Sequence, residues 1–454
     1  MRPLTAEYGK LHSRIARLYD CDCPDCGAGR TVLKQDENGD KIAFEIFRRA
    51  YKRVFGRRGM SPEMLSEKPI AAAIEATASV LREAAAPALE SAVVPPEMRR
   101  ALSEDIFVFS GFKTYHNLKE ASALLLDEDG KIKPFGRYLQ DIRAIHERYN
   151  KSYLEAEYLF ATQSARMAGK WQEHAQDEDR YNLQYRTAGD ARVRQEHQAL
   201  DLVTLPASDP FWAEYYPPNG WRCRCNVVRV RKGKYEESDS DRAVEAGRAA
   251  TEDKLQIFRF NPGRQNVIFP PHHPYYGRQG YGHCLNPHLA ADMGGNEVCK
   301  VLAEVKKLER EERRRALREA DKKVKEWAKE HAGIHASAHY ETGRIKINST
   351  IAGRFADHAR SEENKWLIRE IKDRPEKLHF LRRAELGANK DMSNPAHVKN
   401  VSKKDDRGVI AYNYYNYVID GKIYRVGFEV ISKGGRVWEE PYFVQGPFPE
   451  KNKG

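Results

Sequence analysis

The chain has 454 residues, 41% hydrophobic, 31% charged and 10% aromatic, a balance that excludes a disordered or membrane-embedded protein and allows two to four domains, each with its own core. No stretch approaches the ~20 apolar residues of a bilayer span. The 77 Lys and Arg against 66 Asp and Glu leave a formal charge of +11, which suits a polyanion such as nucleic acid and equally an ordinary solvated basic surface.

The opening MRPLTAEYGKLHSRIARLYD is charged throughout and lacks the apolar segment of a signal peptide, so synthesis in a cytoplasm without export by the general route is expected. Residues 1–146 read as mostly helical. In KIAFEIFRRAYKRVFG the apolar positions Ile42, Phe44, Phe47, Tyr51 and Phe55 recur near the helical period, and an Ala-rich helix follows between prolines. The turn CDCPDCGAGR interrupts this region. Cys21, Cys23 and Cys26, with His12, offer a metal set of unusual spacing, and a partly exposed cysteine turn is the plainer reading. Of the seven cysteines, the clusters at C-x-C and C-x-x-C spacing point to ligation or free thiols more than to a disulfide framework.

A long helical stretch is expected from Gly136 to Arg180, then a strand, a Gly189-Asp190 turn and a charged segment ending in VTLP. Next comes PFWAEYYPPNGWRCRCNVVRV, residues 210–230, where two prolines and a Gly-Trp pair precede two thiols. Residues 233–298 show little periodicity and read as a loop-rich wrap. Residues 299–331 form the clearest helix, with charges at three- and four-residue intervals, which suits a solvated spacer rod ~45 Å long. A domain boundary is expected near residue 332. Beyond it, strand and helix signals lead into two or three aromatic strands with hairpin turns at Asp420-Gly421 and Gly434-Gly435.

The constellation Asp190, Arg192, Arg194, His197, Asp201, Pro210, Trp212, Pro217, Pro218, Cys223, Arg224 and Cys225 resembles the phage head morphogenesis family, the Mu F-like minor capsid proteins, over roughly residues 147–231. The resemblance implies a component of the virion head, made in the bacterial host cytoplasm. The implied partners are portal and head proteins, and packaged DNA held through its phosphates, with no membrane. Physical chemistry gives the residues a reason to be coupled. Pro217 and Pro218 stiffen the approach, Gly220 permits a reversal, and Trp221 closes over a small core. Cys223 and Cys225 share a face, so with His197 and Asp190 they can make a tetrahedral zinc site. The alternative is two small buried thiols beside a histidine bonded to Asp190 or Asp201. No cofactor is required on either reading, and no nucleophile with a paired base is evident in the module.

The expected class is therefore multidomain α+β: a helical N-terminal region, a small α+β head module over 147–232, a long charged helix, and a C-terminal α+β domain over 332–454 with an antiparallel β-meander. The layout of that last domain is similar to the barnase–EndoU–colicin–RelE-like nucleases of phage polyvalent proteins. That likeness implies metal-independent RNA cleavage. His358 and His335 are candidate acid and base, Glu429 an alternative base, and Arg425 and Lys372 candidate phosphate holders. Arg425 and Glu429, four apart on a strand, also fit a surface ion pair. The tyrosines of YNYYNY fit base stacking or plain sheet packing. A domain that only binds nucleic acid or a protein partner is the competing reading. A metal enzyme built from His272, His273, His283 and Cys284 has the weakest support, because its ligands would span loops.

Overall fold

The computed structural model describes residues 6–20, 42, 44–91, 93–279, 297–330, 332–336, 342–347, 407–419 and 422–448. The chain forms two compact units, Met1–Lys306 and Lys307–Gly454.

The first unit begins with helices α1 (Ala6–Tyr19), α2 (Phe44–Arg57), α3 (Lys68–Leu89) and α4 (Pro96–Ala123). Helix α2 buries Phe47, Ala50, Tyr51 and Val54, the face its periodicity marks out. Helix α4 is buried almost all round from Asp105 to Leu118, as a central helix must be. The stretch after Gly136 is helical but broken. Short helices Phe135–Asp141 and Arg143–Glu147 and a π-helical turn, Arg148–Tyr153, precede α5 (Leu154–His174). That turn seats Tyr149, Asn150 and Tyr153 in the interior.

Helix α5 serves two cores. Phe160, Ala161, Ala165 and Ala168 join the helical core, whereas Met167 joins a second one with Leu183, Tyr185, Phe211, Trp212, Tyr216 and Val227. This second core backs an antiparallel sheet of order β2–β1–β3, formed by β1 (Tyr181–Arg186), β2 (Thr204–Leu205) and β3 (Asn226–Arg231). The wrap expected over 233–298 contains a regular helix, α6 (Ser240–Ala250), whose N-cap Asp239 accepts from Arg242 N at 2.9 Å. Its buried residues are Ala243, Gly247 and Ala250, small side chains that a search for large apolar residues passes over. After α6, Phe258, Phe260, Phe269, Tyr275 and Tyr276 are all buried in the helical core.

The charged helix α7 (Glu297–Glu330) is not solvated at its start. Val298, Cys299, Leu302 and Val305 are buried in the helical core, and Leu302 lies where any side chain on residue 111 would be, so Gly111 is what allows the approach. Lys306 pairs with Glu104 at 3.0 Å. The division between the two units falls inside α7, after Lys306.

The second unit carries a five-stranded sheet of order β4–β5–β8–β7–β6, from β4 (Gly333–Ala336), β5 (Arg344–Ile347), β6 (Val409–Ile419), β7 (Lys422–Lys433) and β8 (Arg436–Phe448). Strands β6, β7 and β8 form the expected antiparallel meander. Gly434 and Gly435, both at positive φ (59° and 72°), make the β7–β8 turn. The sheet as a whole is mixed, because β5 joins β8 in parallel through Ile345 and Glu439, and β4 adds antiparallel to β5. Both faces are buried: Ile345, Val426, Phe428 and Val430 on one, Val409, Tyr412, Tyr414, Ile431 and Trp438 on the other. Tyr412 and Tyr414 are thus sheet-packing residues, not an exposed stacking platform.

Candidate metal centre

Two segments meet behind β1. The first is the loop from Thr187 to Asp201. Arg192 N donates to Asp190 Oδ1 at 3.1 Å, and the loop is closed where Asp201 Oδ1 accepts from Thr187 N at 2.8 Å. Within it, the one-turn helix Gln195–Gln198 carries His197 inward, 2% exposed. The second segment is the proline corner. Asp209 Oδ1 accepts from Phe211 N at 2.8 Å and starts the turn Phe211–Glu214, and Trp212 is fully buried. The Pro217-Pro218 bond is cis. Asn219 Oδ1 then accepts from the Tyr185 hydroxyl at 2.9 Å, which ties the corner to the central strand.

The Arg194 guanidinium lies across the corner and donates to Trp221 O at 2.7 Å. A Cβ on Gly220 would sit 3.1 Å from Arg194 Nη1, so the small residue makes room for that contact. Trp221 does not close over the small core. It plugs into the helical core, stacked on Tyr19 at 5.0 Å and edge-on to Phe160 and Phe258. Cys223 and Cys225, two and four residues on, turn back into the module core. One short corner therefore fastens two cores together.

The corner brings Cys223 and Cys225 to His197. His197 Nδ1 is 3.8 Å from Cys223 Sγ and 3.6 Å from Cys225 Sγ. The three donor atoms lie within 4.8 Å of one another and all three residues are buried. This His/Cys/Cys cluster is capable of coordinating a metal ion. The thiols share a hydrogen bond, which draws the Cys223 proton off more easily, with His197 and Arg194 helping, while the same bond and burial push Cys225 up. Gln163 Nε2, from α5, donates to Cys225 O at 2.5 Å and holds the second thiol in place.

Asp190, expected as the fourth ligand, stands elsewhere. Arg224 points away from its flanking cysteines and forks the Asp190 carboxylate with two contacts of 2.7 Å. That fork holds the carboxyl well below its usual range. An alternating chain that buries residues 223 and 225 must turn residue 224 outward, and the acid follows the arginine. Asp201 closes its own loop and does not bond His197. Tyr185, Asn219 and Gln163 support the centre without having stood out in the sequence, since each reaches it from a different element.

The other candidates fall as follows. His12 pairs with Glu120 at 2.5 Å, and Cys21, Cys23 and Cys26 lie outside the described residues. His273 is fully buried among aromatic rings, where desolvation keeps it neutral, and Tyr275 N donates to its Nδ1 at 3.2 Å. Cys299 is disulfide-bonded, whereas Cys223 and Cys225 are free thiols. In the second unit, Glu429 is 1% exposed and accepts from Arg407 at 2.8 Å. Arg425 is half-buried on the same strand, and the backbone of His335 lies in β4. His358, Lys372, His283 and Cys284 lie outside the described residues.

Comparison with known proteins places a match on this region. Residues 133–228 match the family described as Phage Mu protein F like protein. The chain is 36% identical over 81 residues to "Putative capsid assembly protein F" of Escherichia phage Mu, covering 18% of each protein. It is 38% identical over 76 residues to "Mu-like prophage FluMu F protein" of Haemophilus influenzae, covering 15% of this chain and 18% of that one. The chain thus aligns with about a fifth of the length of these relatives. No solved structure matches. Among the described residues, no helix is long and apolar enough to cross a membrane.

Proposed function

We propose that this protein is a minor component of a phage head that acts in head morphogenesis and DNA ejection and resides in the virion after synthesis in the bacterial host. The observation that carries the reading is the coincidence of the matched residues, 133–228, with the folded corner and its His/Cys/Cys cluster. The printed role of the phage Mu relative, capsid assembly, agrees with it. Helices α1 to α4 would face the portal or shell proteins, and the +11 surplus suits phosphate contacts with packaged DNA. A zinc ion at the cluster belongs to the same reading. In particles purified from a lysate of the encoding phage, the chain is expected as a low-copy protein on mass spectrometry; its absence from assembled particles refutes the role.

The second unit is proposed as an RNase-like effector. His358 and His335 would act as acid and base, Glu429 as an alternative base, and Arg425 and Lys372 as phosphate holders. The pairing of the buried Glu429 with Arg407 favours the competing reading, a structural domain that binds nucleic acid or a protein partner, because a committed carboxylate makes a poor base. The full chain is expected to cleave tRNA in EDTA, and His358→Ala to slow this about ten-fold or more. No cleavage of total RNA or tRNA, with or without divalent metal, leaves the structural reading.

A further inference from the structure

We propose that His197 Nδ1 and the sulfurs of Cys223 and Cys225 hold one zinc ion as a three-residue ligand set without Asp190, and that the ion fastens the 187–201 loop to the exit of the proline corner. This deepens the zinc element of the reading above and is independent of its assembly element, so particle incorporation and metal content fail separately.

The geometry is metric as well as compositional. Zn–S bonds of ~2.3 Å and Zn–N bonds of ~2.0–2.1 Å at a tetrahedral angle put nitrogen and sulfur about 3.6 Å apart. The observed separations are 3.6 and 3.8 Å, from the same ring nitrogen to both sulfurs. One ring nitrogen thus faces both thiols at the separation that a shared ion requires. The other nitrogen, Nε2, is buried with no hydrogen-bond partner among the described residues, so the polar contacts of this ring run through Nδ1 to the two sulfurs.

Charge agrees with the geometry. Two thiolates and a neutral imidazole balance a divalent ion, and nitrogen and sulfur donors select zinc over magnesium, calcium or manganese. The carboxylate that might have competed, Asp190, is taken by Arg224 on the outer side. Three protein ligands leave the fourth position to a water molecule. The Tyr185 hydroxyl is already committed to Asn219.

The topology states what the ion does. His197 arrives on a four-residue helix in a loop tied at its ends, to Arg224 and, through Arg194, to Trp221 O, whereas the thiols belong to a corner anchored through Trp221. A ligand bond from each side closes that joint, and metal binding then contributes directly to folding stability.

The test uses the full chain, purified without chelator from cells grown with zinc. Elemental analysis is expected to give about one zinc per chain, His197→Ala and Cys223→Ser below about a tenth, and Asp190→Asn unchanged. His197→Cys, which restores a donor, is expected to retain zinc, and this guards against loss through misfolding. Cobalt substitution is expected to give thiolate-to-metal charge-transfer absorption that Cys225→Ser abolishes. Stripping the metal is expected to lower the thermal midpoint by about 5 °C or more. Less than about a tenth of an equivalent in the parent chain overturns the proposal, as does full zinc content in His197→Ala and Cys223→Ser. Loss of zinc in Asp190→Asn overturns the three-residue set.

Discussion

Lys113→Met is expected to destabilise the first unit by about 3–5 kcal/mol, because it leaves a buried carboxylate without its cation. Lys113 and Glu157 are 1% and 0% exposed and in direct contact at the centre of the helical core, where Tyr19 also donates to Glu157 Oε1 at 2.6 Å. Burial pulls the lysine pKa down and pushes the glutamate pKa up, in each case against the partner's effect, so desolvation outweighs attraction for both. A pair of that kind adds little net stability while intact and costs much when halved. The double variant Lys113→Met/Glu157→Gln keeps an acceptor for Tyr19 and removes both charges, so most of the loss should return. Urea unfolding followed by tryptophan fluorescence measures all three chains. A single-variant cost below about 1 kcal/mol would mean that water reaches the pair.

The second large effect is acid sensitivity of the same unit. His116, His146 and His174 are buried, and desolvation depresses all three to about 4. As neutral rings they are well placed: His116 Nε2 lies 2.9 Å from Tyr275 O, His146 Nδ1 accepts from Asn150 at 2.9 Å, and His174 Nδ1 lies 3.0 Å from the Tyr216 hydroxyl. Their unfolded value is 6.5, so above that pH neither state binds the proton and stability is at its full level. As pH falls from 6.5 towards 4, the unfolded chain takes up protons that the folded chain cannot, and stability is lost over that window. Each group withdraws up to about 3 kcal/mol by pH 4, and together they rival the whole stability of an ordinary domain. The thermal midpoint should fall steeply between pH 6.5 and 4, and His146→Gln should make the fall shallower. A midpoint constant over that range would show that the rings are protonated in place.

Local signals predicted much of this architecture. The Gly434-Gly435 turn follows from the need for two positive-φ residues, and the meander follows from strands flanking such turns. The face of α2 follows from its period. The C-x-C spacing puts two thiols on one side of an extended chain, and they meet His197. The sequence missed helix α6, whose buried residues are small side chains that a search for large apolar residues passes over, and strand β4, whose four residues gain their strand character from β5. The parallel contact of β5 with β8 joins Ile345 to Glu439, 94 residues on, and nothing local encodes it.

By itself, then, the sequence determined the class of the fold, the stiff corner and the donor types gathered at its exit, because each depends on residue chemistry and on spacings of a few bonds. Only the tertiary structure decided how the partners were shared out. Asp190 went to Arg224 and not to the thiols, Trp221 went to the helical core and not to its own module, and the first turns of α7 were buried and not solvated. Those outcomes depend on which surfaces compete for the same side chain, and that competition exists only once distant segments have been packed against each other.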